Sequence, residues 1–136
     1  MENKEERGFK MISQADLNGF NGTEHYYKDF MNLNITDGVK YLMNNCRCGW
    51  LISDIAVINA MDKKVLQNRQ EGNTFLIVTL KINRAEKSAL WNMKEDTNEP
   101  ILYEQKYDYT DIYNYFSDDE IKFYLINGVL LLESEY

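Results

Sequence analysis

The sequence predicts an α+β fold: N-terminal helices packed on one face of a C-terminal antiparallel β-meander of about five strands. Three observations carry this. Before residue 62 apolar residues recur at helical spacing, as in Val39, Leu42, Met43 and Cys46 at i, i+3, i+4 and i+7. After Gly72-Asn73 the period becomes two, with Leu76, Val78, Leu80 and Ile82 on one face. Finally, Asn127-Gly128 separates two apolar runs, and Asn-Gly supplies the two positive-φ positions of a tight hairpin turn.

Taken in order, residues 1–10 read as a charged, flexible arm ahead of a single domain spanning the 136-residue chain. Ser13 is placed to cap a short helix to Leu17, with Asp16 as its capping-box partner. Thr23 is the expected cap of a second helix over 24–31, whose aromatic face is Tyr26, Tyr27 and Phe30. Thr36 or Asp37 starts a third, which Gly49 is expected to end. The run from Trp50 to Met61 is apolar on most sides and predicts a buried helix that continues past Met61. Lys63, Lys64 and Arg69 would then lie near its negative end. Strands are expected over 75–82, 88–94 and 101–107, with Ala89, Trp91 and Met93 facing the core. Pro100 belongs to a turn, since it cannot donate within a central ladder. Residues 109–117 form an acidic, aromatic loop, and 121–126 with 129–132 form the closing hairpin.

Composition bounds the function. The hydrophobic fraction of 44% suits a folded domain. No apolar run approaches the ~20 residues of a membrane span, and no apolar stretch follows the charged N-terminus as in a signal peptide. A cytoplasmic protein of a bacterial host cell is expected. Cys46 and Cys48 form a Cys-x-Cys that reads as two reduced thiols near a helix end; a zinc site would lack ligands even with His25, the one histidine. No phosphate loop, nucleophile elbow or zinc-protease motif is present, so no cofactor and no metal is expected.

Charge is unevenly spread. Residues 1–94 sum to +2, whereas residues 95–136 hold 11 Asp/Glu and two Lys/Arg, net −9. Direct nucleic-acid binding by that part is disfavoured, since phosphates need Lys and Arg. Tyrosines interleave with these acids, and Tyr is enriched at interfaces because it brings large area at low entropy cost. The expected partner-binding residues are Asp108, Asp111, Tyr113, Tyr115, Asp118, Asp119 and Glu120. The bland alternative is that many of these tyrosines are core residues and the acids only solubilise. Asp118-Asp119-Glu120 as a cation site is disfavoured against a solvated turn, because it lacks spaced ligands and a glycine. His25, beside Tyr26 and Tyr27, is the candidate for an enzymatic alternative as general base. A third alternative is an oligomeric accessory protein that self-associates through its sheet.

Three motifs carry a resemblance: Phe20-Asn-Gly-Thr-Glu-His-Tyr-Tyr27, Thr36-Asp-Gly-Val-Lys-Tyr-Leu42, and the C-terminal stretch from Tyr124 to Tyr136. Over residues 17–136 the chain resembles an uncharacterised family of small bacterial, plasmid and phage proteins with F-x-G-T-x-x-Y-Y, T-D-G-V-x-Y-L and Y-L-I-D-G-V-L-L-L-P-S-E-Y. It departs from that pattern at Asn127 and Glu133. The resemblance implies no activity and transfers no site residue; it implies a frequent home on mobile elements. By analogy, small acidic proteins of such elements include inhibitors of host defence, anti-CRISPR proteins among them. The expected function is therefore a non-catalytic protein-binding inhibitor from a phage or mobile element. Its acidic, tyrosine-rich face would cover a basic surface of a nucleic-acid-handling defence enzyme such as a CRISPR effector nuclease.

Overall fold

A computed structural model describes residues 11–136; the expected arm at residues 1–10 lies outside them. Among the described residues the α+β fold is as expected, with helices in the N-terminal half packed on one face of a mainly antiparallel sheet. The elements run α1 (Gln14–Leu17), β1 (Tyr26–Lys28), β2 (Asn34–Thr36), α2 (Asp37–Asn45), α3 (Gly49–Met61), α4 (Lys63–Gln70), β3 (Phe75–Asn83), β4 (Ser88–Lys94), β5 (Ile101–Tyr107), β6 (Glu120–Ile126) and β7 (Val129–Leu132). The seven strands stand in the order β1-β2-β7-β6-β3-β4-β5, with β2 and β7 parallel and the other pairs antiparallel.

The C-terminal half supplies five strands as expected, but they do not form a simple meander. Strand β6 returns beside β3 rather than β5, giving the Greek-key order β6-β3-β4-β5. The connection that makes this return is the acidic loop between β5 and β6. Alternation is kept throughout. Leu76, Val78, Leu80, Ile82, Ala89, Trp91, Met93, Ile121, Phe123 and Leu125 are buried against the helices, while their neighbours on the other face, Ser88 at the start of β4 excepted, are not. In the β6–β7 turn Asn127 and Gly128 take φ of 51° and 80°, the expected mirror-type hairpin turn.

Three helix expectations need correction. Residues 24–31 are not helical. Thr23 Oγ1 accepts from the Asp37 amide at 2.9 Å, and the Asp37 carboxylate accepts from the amides of Glu24 and His25. Those contacts hold the segment beside α2, where Tyr26 and Tyr27 pair with β2 as a short edge strand, followed by a 3-10 turn at Phe30–Asn32. Gly49 does not end α2; Arg47 makes the turn at φ 53°, and Gly49 opens α3. Nor does α3 continue past Met61. Asp62 leaves helical geometry and caps α4, its carboxylate accepting from the amides of Lys64 and Val65. A short carboxylate competing for backbone donors explains the break. Lys63 and Lys64 therefore begin a new helix, and Arg69 alone lies in a last turn.

Helix α3 is apolar nearly all round because it is enclosed. Leu51, Ile52, Ile55 and Ala56 are buried, and Trp50, Val57 and Ile58 are half-buried. The cysteines are free thiols at the C-cap of α2 and the N-cap of α3, both buried. Burial raises both, Cys46 to about 12 and Cys48 further. Neither should react with a disulfide reagent such as DTNB at pH 8 in the folded protein, and both should react in denaturant. Rapid labelling of the native chain would contradict this packing.

Candidate functional site

The acidic loop is built between the end of β5 and the start of β6. Its inward anchors are Thr110, Ile112 and Phe116, all buried. The Thr110 amide donates to the Lys87 carbonyl at 2.9 Å, tying the loop to the β3–β4 turn. On its other flank the Ile12 amide donates to the Tyr115 carbonyl at 2.7 Å, and the Ser117 amide donates to the Ile12 carbonyl at 2.8 Å. Between these ties lies Arg84, whose guanidinium is the clamp of the loop. Nη1 donates to the Tyr113 carbonyl at 2.9 Å, and Nη2 donates to the carbonyls of Phe116 and of Asp118. Nε donates to Asp119 Oδ1, also at 2.9 Å. A planar fork with five donors suits this task, whereas a lysine would reach few of the same acceptors.

The seven residues expected at the interface fall into three groups. Asp118 and Asp119 are structural as well as exposed: Asp118 Oδ2 accepts from the Gln14 amide at 2.7 Å, and Asp119 pairs with Arg84. Tyr113 and Tyr115 are half-buried and each carries a cation on its ring. Lys87 Nζ lies 5.6 Å from the Tyr113 centroid, and the Arg47 guanidinium lies 5.1 Å from that of Tyr115. Asp108, Asp111 and Glu120 make no side-chain hydrogen bond or ion pair among the described residues; Asp108 and Glu120 are exposed and Asp111 is partly so. The face is thus less uniformly acidic than the composition suggests, but Asp108 and Asp111 remain uncommitted on the braced loop and Glu120 at the start of β6.

Two residues absent from the expected set belong with it. Tyr109 is 65% exposed on the same loop, and Trp50, at the first turn of α3, shares a cavity with it. Together with Tyr107, Thr110 and Asp111 they line a cavity of about 320 Å³. The Trp50 and Tyr107 rings meet edge to face with centroids 4.7 Å apart. The Tyr107 hydroxyl donates to Asp54 Oδ2 at 2.6 Å and accepts from Trp91 Nε1 at 2.8 Å, which fixes its ring. Burial first, and then the bond to Asp54, push its hydroxyl pKa up. Tyr107 is therefore a neutral phenol at any ordinary pH. Tyr109 was legible as an acidic-loop aromatic; nothing in the sequence joins position 50 to it.

A larger cavity, about 460 Å³, opens between α4, the β6–β7 turn and the 3-10 turn after β1. It is rich in asparagine, and three of these residues are already engaged: Asn73 Nδ2 donates to Asn68 Oδ1, and Arg69 Nη2 donates to Asn59. His25 lines neither cavity. It is 68% exposed, with Nδ1 3.7 Å from Asp37 Oδ1, so it lends the enzymatic alternative no support. Among the described residues, no three His, Cys, Asp or Glu side chains gather as a metal site, and no helix is long and apolar enough to cross a membrane.

The three sequence motifs meet at the start of α2. Thr23, Tyr27 and Asp37 form one hydrogen-bonded knot, in which the Tyr27 hydroxyl donates to Asp37 Oδ1 at 3.0 Å. The bond from the Glu24 amide leads in holding the Asp37 carboxyl below the usual range. Beside it the buried Glu135 carboxylate accepts from Thr36 Oγ1 at 2.6 Å and from the amides of Gly38 and Leu132, each at 2.9 Å. Gly38 leaves room for this contact: a Cβ there would stand 2.6 Å from Leu132 Cδ1 and 2.8 Å from the Glu135 carboxylate, so both side chains would have to shift. These motif residues build the fold rather than an open site.

A family model described as a family of unknown function (DUF6876) matches residues 11–136. No curated protein and no solved structure matches the chain.

Proposed function

The chain belongs to DUF6876, which brings no assigned activity, and we propose that it is a non-catalytic protein-binding module whose docking surface is the loop from Tyr107 to Glu120. The observation that supports this best is the display of Asp108 and Asp111, uncommitted, on either side of exposed Tyr109 in a loop that Arg84 braces, with Glu120 exposed where that loop enters β6. A braced loop loses little conformational freedom on binding, so its contacts are not spent on ordering it. Carboxylates at the rim with aromatic area between them suit a basic protein surface and would speed encounter at low salt. In its finer form the reading is an inhibitor carried by a phage or mobile element, anti-CRISPR-like, that occupies the nucleic-acid-binding surface of a host defence enzyme.

The test is a side-by-side capture from a bacterial host lysate. Wild type is compared with Asp108→Lys/Asp111→Lys/Glu120→Lys and with a charge-matched control, Glu95→Lys/Asp96→Lys/Glu99→Lys, in the exposed β4–β5 turn at the opposite end of β5. Asp118 and Asp119 are left intact because both hold the loop. A partner retained by wild type and control, weakened by at least about tenfold in the loop variant and released as salt rises, is the expected outcome. Equal retention by both variants would sink the assignment.

A further inference from the structure

The cavity at Trp50 has a chemistry of its own. Its lining holds three aromatic residues, two of whose rings are set at 71° to each other, and one acidic residue, Asp111. Ring faces are electron-rich, so they attract cations and repel anions. An apolar head would bury the Asp111 carboxylate without a partner, at a cost in solvation; a cation satisfies rings and carboxylate together. The same loop already shows this preference twice, in Lys87 over Tyr113 and Arg47 over Tyr115. Among the described residues no cation of this chain stands over Trp50, Tyr107 or Tyr109.

We propose that Trp50, Tyr107, Tyr109 and Asp111 form an aromatic cage for the ammonium head of a lysine side chain on the partner, alkylated forms included. Assigning the head to a partner protein rests on the docking reading above; the cation chemistry of the cage does not. Tyr107 is held by Asp54 and Trp91, so one wall is fixed in advance. Tyr109, largely exposed, supplies the third aromatic residue of the lining.

The experiment uses choline and 3,3-dimethyl-1-butanol, which share a shape and differ in charge. The chain carries two tryptophans, so the indole N–H signals in a nitrogen-15 correlation spectrum report directly; Trp50→Phe assigns them. Choline should shift the Trp50 signal saturably at roughly millimolar concentration. Sodium chloride of equal strength and the neutral alcohol should not. Tyr109→Ala, at an exposed ring, and Asp111→Asn should each weaken choline by about tenfold while the remaining spectrum stays folded. No saturable shift with choline, or an equal response to the alcohol, overturns the cage and leaves the docking reading to the charge-reversal capture. Saturating choline should also displace the captured partner. Choline that binds without displacing it overturns the assignment to a partner side chain.

Discussion

Replacing Glu135 with alanine is expected to cost this protein about 3 kcal/mol of stability, among the largest effects of any single polar substitution here. The change strips the acceptor from the Thr36 hydroxyl and from the Gly38 and Leu132 amides, all in a buried setting. It also removes a negative charge from the positive end of α2, an interaction worth up to ~1–2 kcal/mol when partly buried. Glu135→Gln is the sharper variant. It keeps the shape and one oxygen but turns an amide NH2 toward donors, so about 2 kcal/mol should still be lost. Denaturant midpoints for the two variants check this. A loss under about 0.5 kcal/mol for both would mean that the carboxylate does not hold the C-terminal segment to α2.

Arg84→Met is the second. The substitution keeps much of the apolar stem and removes the guanidinium, leaving the carbonyls of Tyr113, Phe116 and Asp118 and the Asp119 carboxylate without that donor. The site is partly open and water can replace some of the bonds, so the stability loss should be modest, about 1–2 kcal/mol. The larger effect is local. Amides from residue 111 to 119 should exchange hydrogen at least tenfold faster, while those of β3 and β4 keep their protection. Arg84→Lys should behave nearly like Arg84→Met, because one ammonium cannot serve the fork of acceptors. Unchanged exchange across the loop would show that the hydrophobic anchors alone brace it.

Both effects depend on residues that sequence patterns do not pair. What repeats locally was legible: the alternation of β3, β4 and β6, the Asn-Gly turn, the capping box at Ser13 and the Thr36 cap of α2. What depends on a distant partner was not. Residues 24–31 carry helix-compatible composition, and the Asp37 carboxylate together with pairing to β2 holds the segment extended instead. The apolar run before Asp62 favours a continuing helix in sequence, although a lone aspartate before Lys-Lys-Val is a fair capping signal. The Greek-key return of β6 to β3 is a long-range choice with no local mark.

The candidate site divides in the same way. Its acidic, tyrosine-rich character is a composition, and the sequence shows it plainly. Which acids are uncommitted is geometry: Asp118 and Asp119 look equivalent to Glu120 in sequence, yet one accepts from the Gln14 amide and the other pairs with Arg84. Trp50 is a case of a residue with two roles. Read as core because it opens an apolar helix, it is half-buried and lines a surface cavity with Tyr107 and Tyr109.

Footprinting the complex tests most directly whether partners dock on the loop between β5 and β6. With the protein captured by the wild-type chain bound, hydroxyl-radical labelling followed by mass spectrometry reads side-chain protection residue by residue. Protection should concentrate on Trp50, Tyr107, Tyr109 and Tyr113. Phe75, Tyr124 and Tyr136, clustered at the far end of the open sheet face, should keep their free-state labelling. Protection centred on that second cluster, with the loop tyrosines unchanged, would contradict the account and move the interface to the sheet.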